Sequence, residues 1–505
     1  MVIGAGFSGL SAACHLAKQG ARVTVLERHD QAGGRARSWS KGGFRFDMGP
    51  SWYWMPDLFQ RFFRSFGREV EDFYDLQRLD PSYRVVWSTD TGARPDAHLR
   101  DAPAWDLPAG VPGLQSLFES VEEGAGEALH RFLAETGYIY EKATSDFLLR
   151  PSLSFREYLD PGLLAEVARM RMLRSMATYA RSFVTDPRLV RLLEWPVLFL
   201  GASARRTPAM YALMSHADMA LGTWYPMGGM HRIIEGMMTV ARGLGVEFRF
   251  GHDVKEIRVD RGRVVGVQVA PASGRVEELG SDAVLASADY HHVEQSLLAP
   301  EHRQYSQRYW SRRTMSPSSL LFYLGVTGRI EGLPHHTLFF DQDLDAHMET
   351  VYSRPSWPDA PLFYVCHASA TDDSVAPPGD SALFLLVPLA PGLEDSEAAR
   401  EHTYKDVMTR LEAHIGEPLR SRIRVRRDYA MSDFEADYGA FRGNAYGLAN
   451  TLGQTGPLRP GLRSKKLRGL YFAGQLTVPG PGMPPSLVSG ELSARVLAGD
   501  LQLSR

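Results

Sequence analysis

Residues 2–27 read Val2-Ile3-Gly4-Ala5-Gly6-Phe7-Ser8-Gly9-Leu10-Ser11-Ala12-Ala13-Cys14-His15-Leu16-Ala17-Lys18-Gln19-Gly20-Ala21-Arg22-Val23-Thr24-Val25-Leu26-Glu27. An apolar strand end runs into a glycine turn. Leu10, Ala13, Leu16 and Ala17 then recur at helical spacing, Gly20 stops the helix, and Val23 to Leu26 is a second strand ending in Glu27. This is a βαβ unit. With 47 glycines in 505 residues, the bare GxGxxG spacing is expected by chance roughly 0.4 times. The strand before it, the helix after it and the acidic residue beyond it give the pattern its meaning. In that setting Gly4 permits the tight turn, Gly6 lets the backbone approach a pyrophosphate, and Gly9 lets helix and strand pack closely. The helix N-terminus, with Ala5 and Ser8 around it, offers free N–H groups to phosphate. Glu27 suits an unphosphorylated adenosine ribose, as in FAD or NAD, better than the ribose of NADP.

Composition agrees with a large globular protein. The chain carries 56 basic and 59 acidic residues, a formal charge of −3, and 44% hydrophobic residues. The near-neutral balance lacks the basic footprint of a nucleic-acid binder. Two cysteines, Cys14 and Cys366, exclude a disulfide framework or a multi-cysteine metal site. No secretory signal and no apolar run of about 18 residues is visible, so the expected location is cytoplasmic, with or without attachment to a membrane surface. The 16 histidines show no HxxEH or HExxH spacing, so no metal is expected, and His291-His292 reads as a solvated helix start.

Further along, Pro56 to Gly67 places Phe59, Phe62, Phe63 and Phe66 on one helical face. Residues 72–221 read as mixed and mostly helical. Val254 to Val259 and Val264 to Val269 form a hairpin across Asp260-Arg261-Gly262-Arg263, and Ala283 to Ala286 is another strand. Ser319 to Val326, Ala382 to Val387 and Ile423 to Arg427 are further strands, with a helix around Tyr404 to Ile415. Both chain ends read as nucleotide-binding fold. The expected organisation is therefore discontinuous: 1–70, 222–290 and 430–505 bind the dinucleotide, and 71–221 with 291–429 form an inserted, mixed α+β substrate domain.

Three more segments carry chemistry. Gly33-Gly34-Arg35-Ala36-Arg37 pairs a glycine turn with guanidinium groups suited to phosphate. Phe44-Arg45-Phe46-Asp47-Met48-Gly49-Pro50 follows it. Near the end, Gly469 to Gly474 is a strand entering a turn. Pro479-Gly480-Pro481-Gly482-Met483-Pro484-Pro485 then feeds a helix whose N-terminus can face an anionic ring edge.

Here a family resemblance emerges. Residues 4–50 resemble the FAD-binding opening of the flavin amine oxidase superfamily. Trp224 to Met230, Phe441 to Leu448 and Gly474 to Pro485 resemble segments of carotenoid desaturases, and the whole is similar to bacterial phytoene desaturases. The resemblance implies an α/β fold with a Rossmann-like FAD domain and an activity that introduces double bonds into a long polyisoprenoid. Matched by position, it also implies FAD contacts from Gly4, Ala5, Gly6, Ser8, Gly9, Glu27, Gly34, Arg35, Gly49, Val254, Gly474, Gly482 and Met483. Family members carry several residues before the fingerprint strand where this chain has Met1-Val2-Ile3, so a start assigned too late and a weakened first strand are expected. An amine oxidase, an isomerase or saturase relative, and a non-catalytic prenyl-lipid escort are the alternatives. Tyr446 could supply half of an amine oxidase's aromatic pair.

Desaturation of an allylic C–C bond needs a hydride acceptor, which flavin provides and no side chain does. The proton acceptor is not identifiable from sequence; Asp186, Glu194 and Asp218 are the candidates. The terminal electron acceptor is oxygen or a quinone. Exposing a hydrocarbon of about forty carbons to water costs about 30 kcal/mol, so an apolar tunnel opening onto a bilayer is expected. Leu192 to Trp224 is the candidate membrane surface, with Trp195, Phe199, Leu200, Met210, Tyr211, Leu213, Met214 and Met219 beside Arg205 and Arg206. The phenylalanine face at 59–66 is a weaker one.

Overall fold

A computed structural model describes residues 1–88, 103–158, 169, 174–201, 203–271 and 274–503. Five short parallel strands form its first sheet, in the order Leu470–Phe472, Val284–Ala286, Val2–Ile3, Thr24–Leu26, Glu247–Arg249. Three distant stretches of chain thus meet in one sheet. Its central strand has two residues and is paired on both sides, Val2 with Val25 and with Leu285. The terminal ammonium of Met1 donates to the carbonyl of Ala283 at 2.8 Å. The helix Phe7–Lys18 lies against the C-terminal helix Met483–Leu501. Gly490 makes that approach feasible, since a Cβ there would stand 2.2 Å from the Ser8 carbonyl.

The second sheet has seven strands, ordered Ile423–Tyr429, Ser318–Val326, Ser381–Leu389, Phe363–Cys366, His336–Phe340, Tyr83–Trp87, Ala104–Leu107. Its central strands are buried on both faces, so they lack the in–out alternation of a half-exposed strand. One face packs on the helix Glu397–Ile415. The other faces the helical region 111–221 and the segment 44–58. The hairpin expected at 254–269 is present as His252–Asp260 with Arg263–Pro271.

Arg410 of the long helix is buried with Asp341. Its Nε donates to Asp341 Oδ2 at 2.9 Å, and another nitrogen donates to the Pro361 carbonyl at 2.6 Å. Arg410→Met strands the Asp341 carboxylate, and breaking a buried pair from one side costs about 3–5 kcal/mol. Urea unfolding of the variant is expected to register that loss.

Two expectations about surface are corrected. Leu192, Trp195, Met210, Leu213 and Met219 are buried, and Tyr211 and Met214 pack against the same core; the side chains of Phe199 and Leu200 lie outside the described residues. Among the described residues of this stretch, only Arg205 and Arg206 are exposed. Its short helices direct their apolar positions inward, and Trp195 Nε1 even has a buried partner in the Tyr83 hydroxyl at 2.9 Å. The phenylalanine face is core as well: Phe59, Phe62 and Phe63 are buried against Phe7, Tyr53 and Phe73.

Candidate active site

The glycine turn does what its spacing requires. Gly4 has φ +95°, and a Cβ on Gly9 would fall 2.0 Å from the Gly4 carbonyl oxygen. Gly6 approaches Gly34 so closely that a Cβ on Gly34 would lie 3.3 Å from the Gly6 Cα. Gly49 is held the same way, its Cβ position 2.5 Å from the Arg35 carbonyl. The opening helix starts at Gly6 and the C-terminal helix at Gly482, neither with a side-chain cap. Gly474 lies against Ser8, its Cβ position 3.3 Å from Ser8 Oγ, and Met483 packs on the cluster containing Ala5 and Phe7. Two helix N-termini without side-chain caps, each carrying partial positive charge, thus belong to helices packed against each other beside the glycine turn.

Glu27 is buried beside this turn. Its carboxylate accepts from the N–H of Ala5 at 2.8 Å and of His29 at 3.0 Å, which leaves lone pairs for a ribose. Val254, buried beside Leu26, flanks it. Arg35, half-buried, follows Gly34. One nitrogen donates to the Asn444 carbonyl at 3.2 Å, the guanidinium stacks on Tyr438, and Nε has no partner. Burial lowers its pKa, with the Asp289 carboxylate nearby opposing that shift. A half-buried guanidinium with an orphaned donor is what a diphosphate would satisfy, so the residues present fit FAD. The structure brings Gly4, Ala5, Gly6, Ser8, Gly9, Glu27, Gly34, Arg35, Gly49 and Gly474 together, from both ends of the chain; Val254 lies in the cluster that holds Leu26, Met483 packs on the cluster of the opening helix, and Gly482 precedes the C-terminal helix.

Asp47 has a positioning role. It accepts from the N–H groups of Met230 at 2.7 Å and His231 at 3.0 Å, and so ties the Trp224–Met230 segment to the turn before Gly49. The Phe441–Leu448 block joins the same assembly: Asn444 Oδ1 accepts from Gln475 Nε2 at 3.1 Å.

On one face of the seven-stranded sheet lies a cavity of about 50 Å³. Leu338, Phe340, Tyr364 and Leu386 form its floor, with Trp195 and Tyr446 among its walls. Among the described residues no charged side chain lines it. Tyr446 comes from the block that contacts Arg35, and the Tyr364 hydroxyl donates to Ser51 Oγ at 3.0 Å, next to the Gly49-Pro50 turn. The cavity therefore abuts the Phe441–Leu448 block and the Gly49-Pro50 turn.

The carboxylates considered from sequence stand elsewhere. Asp186 caps the helix Pro187–Glu194, and Glu194 is paired with Arg181. Asp218 is buried, accepting from Tyr83 at 2.8 Å and Thr223 at 3.2 Å, and burial raises its pKa to about 7. His291 and His292 do open a helix, capped by Asp289, but both rings are half-buried rather than solvated, His291 packing on Phe441 and Trp310. Sequence reasoning missed a buried polar group formed by His335, His336, Tyr364 and Cys366 on adjacent strands. The consecutive histidines were the available signal.

Comparison with known proteins accords with this architecture. The sequence profile described as flavin containing amine oxidoreductase matches residues 7–498. A carotenoid 3,4-desaturase of Haloarcula japonica is 41% identical over 99% of this chain and 98% of its own length. A zeta-carotene-forming phytoene desaturase of Myxococcus xanthus is 33% identical over 97% and 92%. The crystal structure of an oxidoreductase from Methanosarcina mazei superposes with a TM-score of 0.61 at 17% identity, covering 97% and 98% of the two chains, and so shares the fold. The chain therefore belongs to the carotenoid desaturases of the flavin-containing amine oxidoreductase family, and it is an FAD-dependent oxidoreductase.

Proposed function

We propose that the protein desaturates a long acyclic carotenoid, with FAD held between its two chain ends by the glycine turns, Glu27, Arg35 and the start of the C-terminal helix. FAD supplies a hydride acceptor when bound. The protein's part is to hold an allylic carbon beside it, exclude water and accept a proton. The observation that carries this reading is the cavity, which is lined almost wholly by apolar and aromatic side chains and includes Tyr364, hydrogen-bonded to Ser51 beside the Gly49-Pro50 turn. An amine substrate would need an anionic or polar partner for its ammonium, and no carboxylate lines this cavity.

Two bonds are open to such an enzyme: the saturated positions of phytoene, and the 3,4 bond of a carotenoid already conjugated in its middle. The greater likeness to the Haloarcula relative favours the second. The test is to supply phytoene and lycopene separately to the FAD-loaded protein on liposomes and analyse products. A 3,4-desaturase converts lycopene to a product two hydrogens lighter and leaves phytoene unchanged. Conversion of phytoene reverses the assignment, and conversion of neither overturns the function. Oxygen or a quinone would reoxidise the cofactor.

Delivery of so insoluble a substrate favours a membrane-attached enzyme. Among the described residues no helix is long and apolar enough to cross a membrane. Among the described residues, four of the six exposed large apolar side chains gather on two neighbouring loops, the others being Val265 and Val276. Leu153 and Phe155 are 43% and 60% exposed, Leu452 and Leu458 48% and 44%. The loops meet where Gly456 packs on Tyr158, and Arg156 is exposed beside them. We assign this patch, in place of 192–224, as the bilayer contact. The double substitution Leu153→Asp and Phe155→Asp is expected to move the protein from floated anionic liposomes to the soluble fraction while FAD content is unchanged. Undiminished flotation would contradict the assignment.

A further inference from the structure

Removing two hydrogens from adjacent carbons requires two acceptors, and FAD accounts for the hydride alone. Building on the desaturase reading above, we propose that Tyr364 and His336 together take the proton. Tyr364 meets the substrate at the cavity wall, and His336 stands behind it as the next acceptor.

The polar side chains of the wall lead to this pair by elimination. Tyr352 donates to the Leu198 carbonyl at 2.7 Å, and Tyr446 engages Ser319; neither partner is a base. Trp195 is linked through Tyr83 to Asp218, but an indole N–H only donates, so no proton can enter by that route. The Tyr364 hydroxyl is different. It donates to Ser51 Oγ at 3.0 Å and lies 2.7 Å from His336 Nδ1, so a turn of the O–H from Ser51 to the imidazole lets it hand over its own proton as it accepts another.

His336 is built for that part. It opens the strand His336–Phe340, whose alternation puts it on the same face as Leu338 and Phe340 on the cavity floor. It is fully buried, its ring is stacked on Trp52 with centroids 4.1 Å apart, and its Nε2 has no hydrogen-bond partner. Around the imidazole stand His335, with ring centroids 4.5 Å away, and Tyr364 and Cys366 of the neighbouring strand. Trp52 and Ser51 close the side toward the cofactor. Asp372 and His367 act on His335, one layer further out. Burial and the neighbouring His335 hold the His336 pKa well below its ordinary value, so the ring is neutral and able to accept at physiological pH. Burial raises the Tyr364 pKa well above its own, so the hydroxyl passes a proton on and does not rest as a phenolate.

The step balances. One substrate C–H bond gives its hydrogen and electron pair to FAD. The adjacent C–H bond gives its electron pair to the new C=C bond and its proton to Tyr364 Oη. The original Tyr364 proton crosses to His336 Nδ1, leaving a neutral tyrosine and an imidazolium.

The test uses FAD-loaded His336→Gln and Tyr364→Phe, with carotenoid turnover followed across pH and FAD content read from the visible spectrum. Positioned acid–base groups contribute about 10²–10⁴-fold. Turnover should fall by that range in each variant while bound FAD and KM stay near wild type. The wild-type rate should fall as the pH drops toward the depressed pKa of His336, and the residual rate of His336→Gln should lose that acid limb. Added imidazole should restore part of the rate to His336→Gly, which a packing defect would not allow. If His336→Gln does not fold, Tyr364→Phe, which keeps the ring and loses only the hydroxyl, decides. Turnover within about threefold of wild type in the folded variants, with an unchanged acid limb, overturns the proposal. A wild-type enzyme that converts no carotenoid would instead overturn the function on which it rests.

Discussion

Gly9→Val is expected to give protein that contains no FAD and has no activity. A Cβ at this position meets the Gly4 carbonyl oxygen at 2.0 Å and Ser287 Oγ at 3.0 Å. Neither neighbour can step aside without moving the turn itself. Gly4 sits at φ +95° with its N–H bonded to the Leu26 carbonyl, and Ser287 follows the next strand of the sheet. Overpacking alone costs about 1–3 kcal/mol. The larger consequence is that the opening helix lifts from the sheet and its N-terminus is displaced. Gly243→Ala is the control, since nothing lies within 4 Å of its Cβ position at the end of the helix His231–Gly243. The visible absorption of purified protein reports the result directly: colourless for Gly9→Val, yellow for Gly243→Ala.

Leu338→Trp is expected to do the reverse, keeping FAD and abolishing turnover. Leu338 lies on the cavity floor between His336 and Phe340, away from the glycine turns. The added ring fills the cavity of about 50 Å³ above it and obstructs the path of the polyene. Displacement of a reacting carbon by about 1 Å costs on the order of 10²-fold in rate, and a bulk of this size should exceed that. Thermal unfolding and FAD content near wild type, with product reduced at least about 10²-fold, would match the expectation. Undiminished product would place the substrate elsewhere.

The glycine turn and its βαβ setting were largely legible in the sequence, because their constraints are local. A tight turn, a close helix approach and an acidic residue at the end of the next strand fix Gly4, Gly6, Gly9 and Glu27 within one short stretch of chain. The substrate region was much less so. The strands His336–Phe340 and Phe363–Cys366 are short and buried on both faces, so neither shows the alternation by which a strand is recognised. The stretch 192–224 was misjudged for a related reason: apolar composition is the same for a membrane face and for a core, and only the fold decides which way Leu192 and Trp195 point. The patch at Leu153, Phe155, Leu452 and Leu458 could not be assembled beforehand, because its halves are some three hundred residues apart in sequence. Asp218 shows the limit for chemistry. A lone aspartate among apolar residues invites a catalytic role, yet its oxygens are engaged by Tyr83 and Thr223.

The central claim is that a carotenoid in the apolar cavity gives up a hydride to FAD gripped between the chain ends. Mixing the FAD-loaded protein with its carotenoid on liposomes, without oxygen or quinone, tests this in a single turnover. The account predicts that the visible flavin absorption bleaches as one new double bond appears in the polyene per FAD reduced. A flavin that stays oxidised in the presence of every acyclic carotenoid offered, but is bleached by an amine, would contradict it.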